Sequence, residues 1–298
     1  MTVALDAKPA FDPLALPVSS RRSVLRRLWD RPNGRAGLII LGVVVLLGLA
    51  SLVGLRPDAP NAQNPFDGLK SPSAAHILGT DTYGRDLFSR VQSGILLSLE
   101  ISVIAVAICA VLGTLGGVAA GYIGGWLSGA IMGVTDLLFA IPSILLALAI
   151  VTGLGQGTLD SALAVGIGYT PIFVRVVRGP VLAVRQADYV RAGQVLGFSR
   201  SRLLFRHVLP AVGGVLAVQV TLALGWAVLT EASLSFLGLG PQPPAASLGL
   251  MVSDGTNLAG VAWWTLAFPA IAIVLLIIGF NLVGDGLRDA LDPTASRG

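Results

Sequence analysis

The sequence is poor in charge. Only 12% of its 298 residues are Asp, Glu, Lys or Arg, about half the share of a soluble domain. Lysine is nearly absent: Lys8 and Lys70 are the only two, preceded by Ala7 and Leu69. A nucleotide-binding P-loop needs Gly-Lys-Ser/Thr, because the ammonium reaches the phosphates and the hydroxyl holds magnesium. Neither lysine has that context, so this chain carries no such loop. The one cysteine, Cys109, lies in an apolar run. It excludes an internal disulfide and a cysteine metal cluster, and reads as a buried, inert thiol. The two histidines are His76 and His207. No Gly-x-Ser-x-Gly elbow and no His-Glu-x-x-His pair occurs, so no nucleophile–base set of an intramembrane enzyme is visible.

What the chain has is apolar length. Hydrophobic residues make up 54% of it, and its mean hydropathy is +0.81. Such a composition belongs to a bilayer protein. The net charge of +4 would suit a nucleic acid, but arginine placement that orients membrane helices explains it better.

Residues 36–55 hold twenty positions without a charge, enough for a first span. Residues 56–92 are rich in Pro, Asn, Asp and Gly and form an extramembrane loop. At its end Leu87, Val91 and Ile95 predict a short helix leading into the bilayer. Thirty-five uncharged residues separate Glu100 from Asp136. One straight helix of that length would reach about 50 Å, beyond a ~30 Å core. The chain must turn, and Gly121-Tyr-Ile-Gly-Gly-Trp126 is the place, giving spans at 96–120 and 129–151. A fourth span is expected at 161–174, a fifth at 210–230 and a sixth at 263–283. A loop at 238–261 between the last two is a candidate to re-enter the membrane. Pro142, Pro171 and Pro269 should break or kink their spans. The architecture is thus all-α, a polytopic bundle of about six helices.

With both termini on the inner side, sixteen of the twenty Lys and Arg residues fall inside and four outside, as the positive-inside rule requires for an even number of spans. The chain then divides into a cytoplasmic tail (1–35) with a short amphipathic helix near 23–29, a transmembrane domain (36–293) and a final tail (294–298). Within the domain lie an extracytoplasmic loop (56–95) and a cytoplasmic loop (179–210). Gly113, Gly117, Gly121, Gly125, Gly129 and Gly133 recur every fourth position. They make two packing stripes divided by the turn, serving tight helix contact or a sliding interface.

The cytoplasmic loop carries the strongest pattern. Asp188 can cap a helix that Gly197 ends, and Ser199 can cap a second, 200–207, stopped by Pro210. Two short helices on a Gly hinge make a protruding knob, cationic through Arg191, Arg200, Arg202 and Arg206. The stretch Tyr189-Val-Arg-Ala-Gly-Gln-Val-Leu-Gly-Phe-Ser-Arg-Ser-Arg-Leu-Leu-Phe-Arg-His-Val-Leu-Pro210 resembles the EAA motif of binding-protein-dependent ABC importer permeases. Ala192, Gly197 and Pro210 match it. Arg191 stands for the usual Glu and Gly193 for the second Ala. Three further stretches resemble the C-type permease of dipeptide, oligopeptide and nickel importers: His76-Ile-Leu-Gly-Thr-Asp-Thr-Tyr-Gly-Arg-Asp-Leu-Phe-Ser-Arg90, Glu231-Ala-Ser-Leu-Ser-Phe-Leu-Gly-Leu-Gly-Pro-Gln-Pro-Pro244 and Asn281-Leu-Val-Gly-Asp-Gly-Leu-Arg-Asp-Ala-Leu-Asp-Pro293. Leu96, Ser128 and Gly133 depart from that pattern, each standing where the family usually has a charge.

The resemblance implies a type I importer permease in the bacterial cytoplasmic membrane. Its partners would be a second, similar permease, two P-loop ATPase subunits or a fused pair, and an extracytoplasmic solute-binding protein. ATP and magnesium would be bound by the ATPases, with no cofactor in this chain and no nucleic acid as partner. The solute would be a small one, a di- or oligopeptide first, with a nickel chelate or a glutathione-like peptide as open alternatives. The expected coupling surface is Tyr189, Arg191, Ala192, Gly193, Leu196, Gly197, Arg200, Arg202, Arg206 and Pro210. Asp81, Arg85 and Asp86 flank the Gly84 turn and serve either capping and turn formation or docking of the binding protein. Glu100, Asp136 and Glu231 are ionisable groups in or beside spans, where charge defaults to a functional hypothesis. Glu100 and Glu231 lie near helix ends, where an interfacial role competes. Asp136 sits deeper, for an interhelical hydrogen bond or the solute path. An ion-coupled secondary transporter is the alternative, but it would normally show midplane charges and an internal repeat, and neither is evident.

Overall fold

Helix boundaries follow start and stop signals that the sequence writes locally. The structure, a computed structural model, describes residues 24–291; most of the expected tail of 1–35 and all of that at 294–298 lie outside them. Helix α1 (Val24–Asp30) precedes α2 (Pro32–Ala50). Pro32 occupies the first turn of α2, where its missing N–H leaves no bond unmade. At the other end the Ser51 hydroxyl donates to the Gly48 carbonyl at 2.7 Å.

Helix α3 (Leu87–Val118) is capped by Asp86, whose carboxylate accepts from the Ser89 amide at 2.9 Å. No proline interrupts this helix, and its one glycine pair, Gly116-Gly117, lies at its end. The helix expected to lead into the bilayer is therefore the end of the span itself, and with a widened turn at Ala119–Ile123 the run is 37 residues long. Gly124 and Gly125, at φ +76° and +63°, then reverse the chain where only glycine is unstrained.

Helices α4 (Gly125–Phe139) and α5 (Ser143–Leu154) meet at 91°. The third span, expected over 129–151 with a break or kink at Pro142, is broken there: proline lacks an N–H and disfavours the helical region for Ile141. Helix α6 (Thr158–Arg185) outruns its expected span of 161–174, with Pro171 and Pro180 inside it. Helices α7 (Asp188–Val195) and α8 (Arg200–Leu203) form the knob. Pro210 does not stop the chain there. A widened turn at Leu204–Val208 joins α8 to α9 (Leu209–Phe236), and the run Arg200–Phe236 spans 37 residues. Pro210 falls in the first turn of α9, and the wide turn before it absorbs the clash its ring makes with the carbonyl four residues back. Helix α10 (Leu248–Thr256), capped by Ser247, and α11 (Trp264–Leu291) complete the described residues.

Among the described residues five helices are long and apolar enough to cross a membrane, and six spans result if the bent α4–α5 pair counts as one. No strand occurs among the described residues. The protein is an all-α membrane bundle. Many large apolar side chains, among them Val43, Leu46, Leu112, Leu115 and Ile271, point outward. A helix surface of that kind suits lipid. The interior is divided along the bundle. One cluster, around Leu87, Ile95, Leu248 and Trp264, lies under the loop of residues 51–86. A second surrounds Phe173 and Leu234. A third, of Val118, Val177, Val181, Val208 and Val212, lies beneath the knob.

Small residues set the closest approach. A Cβ on Gly117 would sit 2.7 Å from Val177 Cβ and one on Gly121 2.8 Å from Val181 Cγ1, and Gly113 likewise abuts Phe173. This stripe lets α3 lie against α6. The second stripe behaves differently: Gly125, Gly129 and Gly133 have nothing within 4 Å of a Cβ position.

Candidate functional site

The knob is built on a fully hydrogen-bonded helix stop. The Gly197 amide donates to the Gln194 carbonyl and the Phe198 amide to the Gly193 carbonyl, both at 3.0 Å. With Gly197 at φ +77° this is a Schellman turn, in which a left-handed residue satisfies the last carbonyls. Phe198 folds back on Gly193, and Leu203 closes over the same glycine. Gly193 is buried for that reason, not presented outward. Ser199 caps α8 by accepting from the Arg202 amide at 3.4 Å. Asp188 does not cap α7: Ala187 holds the capping position and the Asp188 carboxylate makes no capping bond. Its charge still favours the first turn.

The knob is fixed to the bundle through its floor. Val190 and Leu203 are buried, and the Tyr122 hydroxyl donates to the Arg200 carbonyl at 3.4 Å. Its outer surface is unpartnered. Arg191, Arg200, Arg202 and Arg206 are exposed and form no ion pair among the described residues; Arg202 stacks over the Phe198 ring at 5.1 Å. Ala192 and Pro210 are exposed as well. Tyr189 and Leu196 project beside them, and Tyr189 leans on His207. Val195, 88% exposed, and Phe205 extend this apolar ridge. The sequence reading passed over both, although arginines interleaved with large apolar residues on helices this short are themselves a docking signal. Between knob and bundle lies a hollow of about 630 Å³ lined by Tyr122, Arg185, Gln194, Phe198 and Phe205.

At the opposite end, the loop residues turn inward. Asp81 accepts from the amides of Tyr83 and Arg85, at 2.9 and 3.0 Å, and pairs with the Arg85 guanidinium at 2.5 Å. Asp86 is 1% exposed; besides capping α3 it meets His76 Nδ1 at 3.0 Å. Arg85 is buried too, over the Tyr83 ring. The two buried side chains offer a docking partner almost nothing, and the geometry is that of turn and cap. Of the two roles the sequence leaves open for Asp81, Arg85 and Asp86, these bonds are those of turn and cap, and the large apolar side chains that the loop shows outward are Phe66, Ile77 and Tyr83. Lys70, paired with Asp67 nearby, holds that carboxyl below the usual range.

The three ionisable span residues do not come together. Glu100 is exposed on α3, about 33 Å of helix rise from the Tyr122 turn. Glu231 is fully buried. It accepts from Ser98 Oγ at 2.7 Å and from Ser235 Oγ at 2.8 Å, joining α3 to α9. Asp136 pairs with Arg175 of α6 at 2.7 Å, and both side chains are more than half exposed. In the sequence Arg175 is only the residue that follows the expected span of 161–174.

Residues 113–297 match the family described as binding-protein-dependent transport system inner membrane component. The chain is 40% identical, over 93% of its length and 90% of the relative's, to the dipeptide transport system permease protein DppC of Alkalihalophilus pseudofirmus. It is 42% identical to the probable D,D-dipeptide transport system permease protein DdpC of Escherichia coli, over 86% of each chain. It is 40% identical to the glutathione transport system permease protein GsiD of Pectobacterium atrosepticum, over 93% of this chain and 95% of that one.

Proposed function

The chain belongs to the family of binding-protein-dependent transport system inner membrane components and is the permease subunit of an ABC importer, and from that premise we propose that it carries short peptides across the bacterial cytoplasmic membrane. It does so beside a second, similar permease. An extracytoplasmic binding protein delivers the solute at the loop end, and two P-loop ATPases, separate or fused, bind the knob from the cytoplasm. ATP and magnesium belong to those ATPases. Both termini lie inside, which puts the arginine-rich segments on the cytoplasmic side. The peptide class is carried over from the relatives, named for dipeptide, D,D-dipeptide and glutathione transport.

The observation that carries this reading is the knob surface. Four exposed arginines stand among exposed Tyr189, Val195, Leu196 and Phe205 on a rigid Schellman turn. A surface so apolar and so charged is made for a partner. Closure of the ATPases on ATP would displace the knob, and because α8 runs unbroken into α9 the displacement reaches the far end of the bundle. ATP binding drives transport only if it favours one of the two bundle states.

Purification of the tagged chain in mild detergent, with mass spectrometry of what co-elutes, tests the reading. The expected result is a second permease and P-loop ATPases in near-stoichiometric amounts. Recovery of the chain alone, in a detergent that preserves a known complex of this kind, would count against it and favour an ion-coupled transporter.

A further inference from the structure

The Asp136–Arg175 pair stands where exposed charge is least tolerated. Arg175 lies six residues before Val181, which packs on Gly121 at the Tyr122 turn. That is about 9 Å of helix rise into the bundle from the knob end. Asp136 lies eleven residues along α4 from Gly125, about 16 Å by the same measure. Both fall within the depth of a ~30 Å hydrocarbon core, yet their side chains are 60% and 52% exposed on the chain's own surface. Charges at such depth face a bundle interior or a water-filled cavity, not lipid.

The surroundings are those of a recognition site. The Arg175 guanidinium lies over the Phe139 ring, 4.0 Å from its centroid, just before the Pro142 break. Beside the pair, α4 and α6 leave an apolar hollow of about 330 Å³ lined by Ile131, Val134, Leu138, Pro171 and Val174. Gly129, Gly133 and Asp136 share one face of α4 by their spacing, and among the described residues nothing lies within 4 Å of a Cβ position on either glycine. The face is thus open, small-residued and carries one charge of each sign.

We propose that Asp136 and Arg175 line the solute path and form an exchangeable ion pair that receives the two charged ends of a short zwitterionic peptide. The proposal rests on the importer reading above. A zwitterion can enter without leaving a bare charge: its ammonium takes Asp136 and its carboxylate takes Arg175, so every buried charge keeps a partner. The planar guanidinium suits a carboxylate in two-point contact. Two extended residues span at most about 7 Å, a gap that rotation of the Arg175 side chain over Phe139 opens. The apolar hollow accepts a small side chain.

Asp136→Cys and Arg175→Cys, made separately in the intact importer complex, test this. Cys109, the one native cysteine, is buried, so labelling of this subunit reports the introduced thiols. A charged, membrane-impermeant methanethiosulfonate should label both positions. In the Asp136→Cys protein, which keeps Arg175, dialanine should slow labelling on the order of fivefold at several times its dissociation constant, and N-acetyl-dialanine amide should leave it unchanged. In otherwise native protein, Asp136→Arg should abolish dialanine uptake, and Asp136→Arg with Arg175→Asp should restore a measurable part of it. No labelling in a complex whose ATPase still responds to loaded binding protein means that lipid or the second permease covers the face, and overturns the proposal alone. Equal protection by the capped peptide overturns it as well. Failure of the unsubstituted complex to couple ATP hydrolysis to loaded binding protein would instead overturn the importer reading.

Discussion

Glu231 and Gly197 illustrate two kinds of single-residue dependence. Glu231 is buried with two serine hydroxyls donating to it and forms no ion pair among the described residues. Glu231→Gln keeps a carbonyl and an amide that can serve both serines, so the complex should keep its thermal midpoint within a few degrees. Glu231→Leu strands two buried hydroxyls, each worth about 1–3 kcal/mol, and should lower the midpoint clearly. An unchanged midpoint for the Leu variant would show that the network contributes nothing. Gly197 depends on backbone, not contact: nothing lies within 4 Å of its Cβ position, but its φ is +77°. A β-branched residue there is strained by about 1–3 kcal/mol. Gly197→Val should therefore leave the protein in the membrane while ATPase co-purification and uptake fall together. Normal uptake by that variant would remove the knob from the mechanism.

At the scale of elements, the two glycine stripes make a matched comparison. Gly117→Val drives a branched side chain into Val177 and the Val174 carbonyl, which already stand 2.7 Å from its Cβ position. The α3–α6 contact must open, and thermal stability should drop. Gly129→Val meets open space and should leave this subunit's own fold intact. Equal loss in both variants, read by thermal shift, would mean that the difference between the stripes is not one of packing within this chain. The sequence showed the repeat but not which half is filled, because a four-residue period fixes a face and not its neighbour. The same limit recurs elsewhere. The turn at Gly124–Gly125 was legible, since 35 uncharged residues cannot cross once. Pro142 announced a break, but the 91° angle depends on how α5 packs against α6. Gly197 was legible because a left-handed stop is written in one residue. The inward turn of Asp86 was not, because its partner His76 lies ten residues away across a folded loop.

For the whole molecule, the decisive feature is mechanical continuity between the two ends. The run Arg200–Phe236 is about 55 Å long at helical rise. It begins in the knob, passes the floor cluster at Val208 and Val212, and carries Glu231 near its far end, where Ser235 packs on Gly249 of α10. If a displaced knob drives the bundle, it acts through this rod, and stiffness in the turn Leu204–Val208 matters as much as the docking surface. Two glycines inserted after His207 would keep Tyr189, Arg191, Val195 and Leu196 in place for docking, yet let the knob move without turning α9. Docking and transmission should then separate: the ATPases still co-purify and hydrolyse ATP at a rate that no longer responds to loaded binding protein, and uptake in proteoliposomes is lost. Were uptake retained, α6 and α7 would have to carry the motion instead, since they form the only other covalent route from the knob into the bundle.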